Sequence, residues 1–146
     1  MAADGLSDSD VRSILEGVRT IAVVGASEKA ERPSNYVPAF LQQHGYRIIP
    51  INPGQAGKEI LGETAYASLA DVPEPIDMVE VFRAAEHLPG VADEVIALDP
   101  KPRILWMQQG IISEPAAEKA RAAGLQVVMD RCPKIEIPRL QPKTPA

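Results

Sequence analysis

The chain has 146 residues, of which 45% are hydrophobic, so one domain with a substantial core is expected and a largely disordered protein is excluded. Its net charge of -5 disfavours broad attraction to nucleic acid or to an anionic membrane, so an anionic ligand needs a local group of donors. The single cysteine, Cys132, excludes an internal disulfide and a cysteine-rich metal site. Since the sequence shows neither a signal peptide nor a membrane-spanning run, a cytoplasmic protein is expected.

Apolar runs alternate with helical patterns along the chain. Five buried strands are predicted, at residues 20–24, 47–51, 77–82, 103–107 and 126–129. A short strand is also predicted near residues 64–66, and one helical turn at residues 68–71. Helices are predicted before and between the strands, and their N-caps are assigned to Asp8 or Ser9, to Ser34 or Asn35, and to Ser113. Residues 1–9 are predicted to be a polar lead, and residues 138–146, with three prolines, a free or loosely packed tail.

This alternation predicts an α/β fold, namely a three-layer Rossmann-like domain over residues 1–146. Its parallel sheet has five or six strands and carries helices on both faces. Ligands of such sheets bind outside the carboxyl ends of the strands. Five segments fall there: Gly25-Ala26-Ser27, Asn52-Pro53, Phe82-Arg83, Gln108-Gln109-Gly110 and Asp130-Arg131-Cys132.

The loop after the first strand carries one glycine instead of the Gly-x-Gly-x-x-Gly spacing of dinucleotide sites. Gly25 permits a sharp turn and a close approach of backbone to ligand. Ser27 offers a hydroxyl and an N–H to a phosphate, Arg32 adds charge, and the helix near Ser34 adds its positive end. The alternative is a simple strand-to-helix turn with solvated charges, since a lone glycine is a weak signal.

Asn52 ends the second strand, where NAD-binding domains carry an acidic residue for the ribose. Its amide therefore counts against NAD. Asn52 and Pro53 are compatible with a rigid edge against an adenine or a ribose, although these two residues by themselves favour an ordinary turn.

The later strand ends carry further candidates. Phe82 could form an apolar wall of a ligand site, and Arg83 could bind a phosphate. The alternative is that Phe82 belongs to the core and that Arg83 is a solvated charge at the start of a helix. Gln108 is a poor core residue, and Gly110 permits close approach. Cys132 is interpreted as a small buried filler, with contact to a ligand thiol as the alternative.

No catalytic constellation is visible. His44 lies at a predicted helix end, which indicates a surface role or a contact with the helix dipole, and His87 precedes a helix and has no obvious partner in the sequence. The Gly-x-x-x-x-Gly-Lys-Ser/Thr motif is absent, which excludes a P-loop ATPase. The sequence therefore predicts binding without catalysis.

Taken together, the motifs resemble one family over about residues 10–137. They are Gly25-Ala26-Ser27, Arg32-Pro33-Ser34, Ile51-Asn52-Pro53, Phe82-Arg83, Trp106-Met107-Gln108-Gln109-Gly110-Ile111 and Val128-Met129-Asp130-Arg131-Cys132-Pro133-Lys134. This set is similar to the small CoA-binding domain proteins and to the N-terminal CoA-binding domain of the succinyl-CoA synthetase α subunit and of NDP-forming acyl-CoA synthetases.

The resemblance implies a position for each part of coenzyme A. The phosphates are expected at the first loop and the following helix start, which are Gly25, Ala26, Ser27, Arg32, Pro33 and Ser34. The adenosine is expected beside Asn52 and Pro53, with Phe82 and Arg83 covering the ligand. The pantetheine arm is expected near Gln108 and Gly110.

The resemblance implies non-catalytic binding of CoA or an acyl-CoA, because the synthetases use a phosphohistidine from a further domain and no matching histidine motif occurs here. Two other functions stay open, namely an NAD(P)-binding oxidoreductase or sensor and the CoA-binding subunit of a split acyl-CoA synthetase. A homodimer and a synthetase-type partner subunit also stay open.

Overall fold

The strands form one parallel sheet and one small hairpin in the computed structural model, which describes residues 2–146. They are β1 (Thr20–Val24), β2 (Arg47–Ile51), β3 (Glu59–Ile60), β4 (Glu63–Thr64), β5 (Met78–Val81), β6 (Ile104–Met107) and β7 (Gln126–Val128). The hairpin pairs β3 with β4, and the other five strands have the order β2-β1-β5-β6-β7. The chain order reverses between β1 and β5, which is where sheets of this kind open a crevice for ligands.

Five α-helices cover the two faces of the sheet. They are α1 (Asp8–Gly17), α2 (Pro33–Gln43), α3 (Leu88–Ile96), α4 (Glu114–Ala122) and α5 (Pro133–Leu140). Buried residues of α3 and α4 pack with Val79 and Val81 on one face. Buried residues of α1, α2 and α5 pack with Met78 on the other. The predicted three-layer α/β fold is confirmed.

All five long strands lie where the apolar runs predict them. Strands β1 and β2 have the predicted bounds. Strand β5 is two residues shorter than predicted, and β6 and β7 are each one residue shorter. The predicted helical turn is the 3-10 turn at Leu69–Asp71, and Ser113 caps α4 by accepting a hydrogen bond from the Ala116 N–H. The predicted short strand is displaced to Glu63–Thr64, and Tyr66 forms only an isolated bridge to Ile51.

Two helix starts differ from the prediction. Ser7, and not Asp8 or Ser9, caps α1, because its hydroxyl and the Asp10 side chain form a reciprocal capping box. Helix α2 begins at Pro33, so Ser34 and Asn35 lie inside its first turn. Proline fits a first helical position because its fixed φ matches the helix and its missing N–H has no partner there.

The prediction of a loose tail is wrong for Pro138 to Leu140, which belong to α5. The prolines concealed this helix, yet Ile137 and Leu140 are buried in the core and Arg12 Nε donates to the Leu140 carbonyl at 3.0 Å. The last residue is also fixed, since the Ala146 N–H donates to the His44 carbonyl at 3.0 Å.

The predicted polar lead, residues 1–9, contains a buried carboxylate, that of Asp4. Met1 of this segment lies outside the described residues. The Asp4 carboxylate accepts hydrogen bonds from Arg131 Nε at 2.8 Å and from the Met129 N–H at 3.1 Å. This contact joins the start of the chain to the end of β7. Within residues 2–146, no helix has the length and apolar character needed to cross a bilayer.

Candidate functional site

Two adjoining cavities lie over the carboxyl ends of the parallel strands, and Arg83 lines both. The β2 cavity, of about 360 Å³, is lined by Gly25, Ala26, Asn52, Pro53, Arg83 and Glu94, among others. The β6 cavity, of about 570 Å³, is lined by residues that include Pro33, Phe82, Arg83, Gln108, Cys132 and Lys134. The structure thus brings together eight of the predicted site residues along one edge of the sheet: Gly25, Ala26, Pro33, Asn52, Pro53, Phe82, Arg83 and Gln108.

Gly25 allows the first loop to fit between β2 and β5. Its φ is +85°, and a Cβ at this position would lie 2.8 Å from the carbonyl oxygen of Phe82. Its N–H donates to the Ile51 carbonyl at 3.1 Å. The loop therefore closes against both neighbouring strands and leaves the backbone of Gly25 and Ala26 on the wall of the β2 cavity.

Replacing Gly25 with alanine is expected to lower the free energy of unfolding by about 2 kcal/mol, because the positive φ and the backbone contact both disfavour a Cβ. Gly62→Ala is the matched control, since Gly62 has a φ of +75° with nothing within 4 Å of the added Cβ. Urea unfolding of both variants measures the difference. Equal losses would show that the contact with Phe82 relaxes without cost.

Asn52 fixes the first loop to the end of β2. Its Nδ2 donates to the Ala26 carbonyl at 2.8 Å, and its Oδ1 accepts from the Gly54 N–H at 2.9 Å. The amide is thus engaged at both atoms within the protein. Asn52 positions the loop and the 3-10 turn Pro53–Gln55, and Pro53 presents its ring to the β2 cavity.

Ser27, Arg32 and Ser34 lie beside the two cavities without lining them. The Ser27 N–H donates to the Ser34 carbonyl at 3.3 Å, so it is engaged within the loop rather than free for a ligand as the sequence suggested. Its Oγ accepts from the Lys29 N–H at 3.0 Å, which leaves the hydroxyl proton available. Arg32 is exposed, and its side chain makes no capping bond to the first turn of α2.

Arg83 is exposed and forms no ion pair with any residue in the range 2–146. Other arginines are engaged, such as Arg47 with Glu63 and Glu74, and Arg131 with Asp4. A free guanidinium at the junction of two cavities is well placed to bind a phosphate through paired hydrogen bonds.

Gln108 is a buried polar residue on the wall of the β6 cavity. Its side chain is 7% exposed, and its Oε1 has no hydrogen-bond partner among the described residues. Gly110 lines neither cavity, and its N–H donates to Asp130 Oδ1 at 2.7 Å in the turn after β6. Of this predicted pair, only Gln108 reaches the cavity.

Apart from Pro33, the residues that α2 and α5 contribute to the β6 cavity were not predicted. Tyr36 lines the cavity from α2 and is 42% exposed. Lys134 and Ile135 were missed because α5 was not predicted. Glu94 was missed because it lies within α3, away from the strand ends that the sequence argument considered, and α3 brings it to the β2 cavity.

Neither histidine reaches this site. His44 is at the C-terminal end of α2, where its Nδ1 lies 2.9 Å from the Phe40 carbonyl oxygen. His87 is exposed next to Glu86.

Glu80 is fully buried on the central strand β5, two residues before Phe82. In the sheet it lies between Val23 and Trp106. Neither carboxylate oxygen has a partner within residues 2–146, and burial raises the pKa of Glu80 to about 8. At neutral pH the side chain is therefore mainly an uncharged acid.

A family model and two known proteins match the sequence of this chain. A family model described as a CoA binding domain matches residues 19–138. The chain is similar to uncharacterized protein YneT of Bacillus subtilis (strain 168), with 41% identity over 129 residues that cover 88% of this chain and 93% of that protein. It is also 32% identical over 78 residues to an ADP-forming acetate–CoA ligase II of Archaeoglobus fulgidus, a match that spans 52% of this chain and 11% of the ligase.

A solved structure of a Thermus thermophilus protein has the same fold. The two superimpose with a TM-score of 0.86 at 41% sequence identity, covering 92% of this chain and 99% of that one.

Proposed function

Since the chain belongs to the CoA-binding domain family, we propose that it binds coenzyme A or an acyl-CoA across the carboxyl edge of its sheet. The observation that carries this proposal is Arg83, an unpaired guanidinium at the junction of two cavities. CoA has a matching layout, with an adenosine that carries a 3′-phosphate at one end, a diphosphate in the middle and an apolar, amide-bearing pantetheine arm at the other end.

The β2 cavity suits the adenosine. Pro53 offers an apolar surface to the base, and Glu94 offers a carboxylate to the ribose 2′-hydroxyl or to the adenine amine. A carboxylate would repel a phosphate, so the 3′-phosphate on the ribose is expected to point away from Glu94, and the diphosphate is expected outside its reach.

The diphosphate is expected at Arg83 and at the start of α2. The first turn of α2 has no side-chain cap, Pro33 has no N–H, and the N–H groups of Asn35 and Tyr36 donate to the Arg32 carbonyl. The helix therefore offers an anion the Ser34 N–H and its positive dipole end. Arg32 is exposed at the same helix end. These local donors would hold an anion on a chain whose net charge is -5.

The β6 cavity suits the pantetheine arm because Phe82 and Tyr36 supply apolar wall and Gln108 supplies an amide. Both histidines lie outside the two cavities, so we propose that this chain binds CoA without transforming it.

The similarity to an acetate–CoA ligase supports a second candidate, a CoA-binding subunit of a ligase whose other part is a separate chain. Co-purification of an ATP-binding partner from native lysate would favour the second candidate.

Calorimetric titration with CoA, dephospho-CoA, NAD and NADP tests the proposal. We expect CoA to bind and NAD to bind much more weakly, because Asn52 replaces the acid that holds the ribose in NAD sites. Clear NAD binding together with no CoA binding at millimolar ligand would overturn the proposal.

Arg83→Ala is expected to weaken CoA binding by about 10- to 150-fold, which corresponds to the roughly 1.5–3 kcal/mol of a hydrogen bond to a charged group. Arg121→Ala is the matched control, since Arg121 is exposed on α4 and lines neither cavity. Calorimetry on both variants gives the comparison. An unchanged affinity in Arg83→Ala would assign Arg83 to a solvated surface.

A further inference from the structure

The end of the β6 cavity that is farthest from the β2 cavity contains the protein's single cysteine. Strand β2 is at one edge of the sheet and β7 at the other, and Cys132 follows β7 at the start of α5. Four strand spacings separate these edges, roughly 19 Å. A linear ligand whose base occupies the β2 cavity therefore has its opposite end near Cys132. In CoA that opposite end is the thiol.

A second observation indicates that a polar ligand passes this point. Gln108 lies on β6's carboxyl end, one strand before Cys132, and lines the same cavity. Its buried Oε1 has no partner in the described chain, and leaving such an acceptor unpaired costs about 1–3 kcal/mol. The pantetheine arm carries amide N–H groups that can pair with it.

From these positions we infer that Cys132 captures coenzyme A covalently by thiol–disulfide exchange with CoA disulfide. This inference rests on the proposed CoA site. The Cys132 thiolate, whose proton goes to solvent, attacks one sulfur of the CoA disulfide. The bond between the two CoA sulfurs breaks, a bond from Sγ to one CoA sulfur forms, and the other CoA leaves as a thiolate that takes up a proton. One thiol and one disulfide are consumed, and one thiol and one disulfide are formed.

The surroundings of Cys132 make this capture selective and lasting. The side chain is only 7% exposed, so disulfides that do not fit the cavity reach it slowly. Its Sγ makes no capping hydrogen bond to α5 and is therefore not committed to the helix. The chain has no second cysteine to resolve the mixed disulfide, which persists until an external thiol reduces it.

The test compares the rates at which the reduced protein reacts with CoA disulfide and with glutathione disulfide, followed by intact mass. With CoA disulfide we expect a mass increase of one CoA less two hydrogens, formed about tenfold faster or more than the glutathione adduct because binding holds the sulfurs together. Cys132→Ser should form neither adduct, and its circular dichroism shows whether it is folded. Arg83→Ala should slow the reaction with CoA disulfide and not that with glutathione disulfide.

A separate titration of the reduced protein with CoA keeps this inference distinct from the proposed function. Reversible CoA binding combined with equal rates for the two disulfides, or with no CoA adduct, would overturn covalent capture and leave the CoA site standing. Absence of reversible CoA binding would overturn the proposed function and the capture with it.

Discussion

Replacing Glu80 with methionine is expected to stabilise the protein, and the gain should grow by roughly 3 kcal/mol between pH 5 and pH 8. Glu80 is fully buried on β5 with both oxygens unpartnered among residues 2–146. Methionine has a similar length and no polar atoms, so it fills the same space without the cost of a buried polar group.

The sign of the pH dependence follows from the raised pKa. Burial raises the pKa of Glu80 from 4.5 to about 8. Between these values the folded state keeps a proton that the unfolded chain releases, so rising pH favours unfolding by about 1.4 kcal/mol per pH unit. The loss begins near pH 4.5 and levels off above about pH 8. Methionine does not titrate, so the difference between the two proteins widens over that range.

Urea unfolding of wild type, Glu80→Met and Glu80→Gln at pH 5, 7 and 8 measures the effect. Glu80→Gln should also lack the pH dependence that Glu80 gives the wild type. Its gain in stability should be smaller than that of Glu80→Met, because the glutamine amide is also buried without a partner. Parallel pH profiles for wild type and Glu80→Met would mean that Glu80 is ionised in the native protein.

The architecture was predictable because it depends on local patterns. Strands of a parallel sheet covered on both faces are almost wholly apolar, and turn signals separate them from helical patterns. Thr20–Val24 and Arg47–Ile51 were therefore found with their bounds. The edge of the sheet along which the two cavities lie then followed from topology alone.

The parts that were missed depend on contacts between distant segments. Helix α5 carries Pro138 inside it, which locally indicates a break, and burial of Ile137 and Leu140 against the core outweighs that signal. The cavity walls formed by Tyr36 and Lys134 depend on how α2 and α5 pack, and no spacing in the sequence encodes that packing.

The pairing of Asp4 with Arg131 is the clearest case, since 127 residues separate the partners. The residues that flank Arg131 include Cys132, so the ion pair fixes the start of α5 as well as the end of β7. The N-terminal segment thus helps to hold the far end of the β6 cavity in place.

Asp4→Asn is expected to lower the free energy of unfolding at pH 7 by about 3 kcal/mol, because it leaves a largely buried guanidinium without its main counter-ion. The Asp4 side chain is 0% exposed and that of Arg131 is 10% exposed. Glu136, at 3.9 Å from Arg131, is the remaining carboxylate nearby. Burial acts to raise the pKa of Asp4, but hydrogen bonds from Arg131 and from backbone N–H groups outweigh burial and hold this pKa below its ordinary value of 3.8.

Because the folded-state pKa is lowered, the stabilisation by Asp4 is fully present above about pH 4 and is lost as the pH falls through the lower folded value. Asp93→Asn is the matched control, since the Asp93–Lys119 pair is exposed and should contribute about 0.5 kcal/mol or less. Urea unfolding at pH 7 and at pH 3 should show a large difference between wild type and Asp4→Asn that shrinks at the lower pH. If Asp4→Asn loses no more stability than Asp93→Asn, the buried pair contributes no more than a solvated one, and the N-terminal segment does not hold the β7 end.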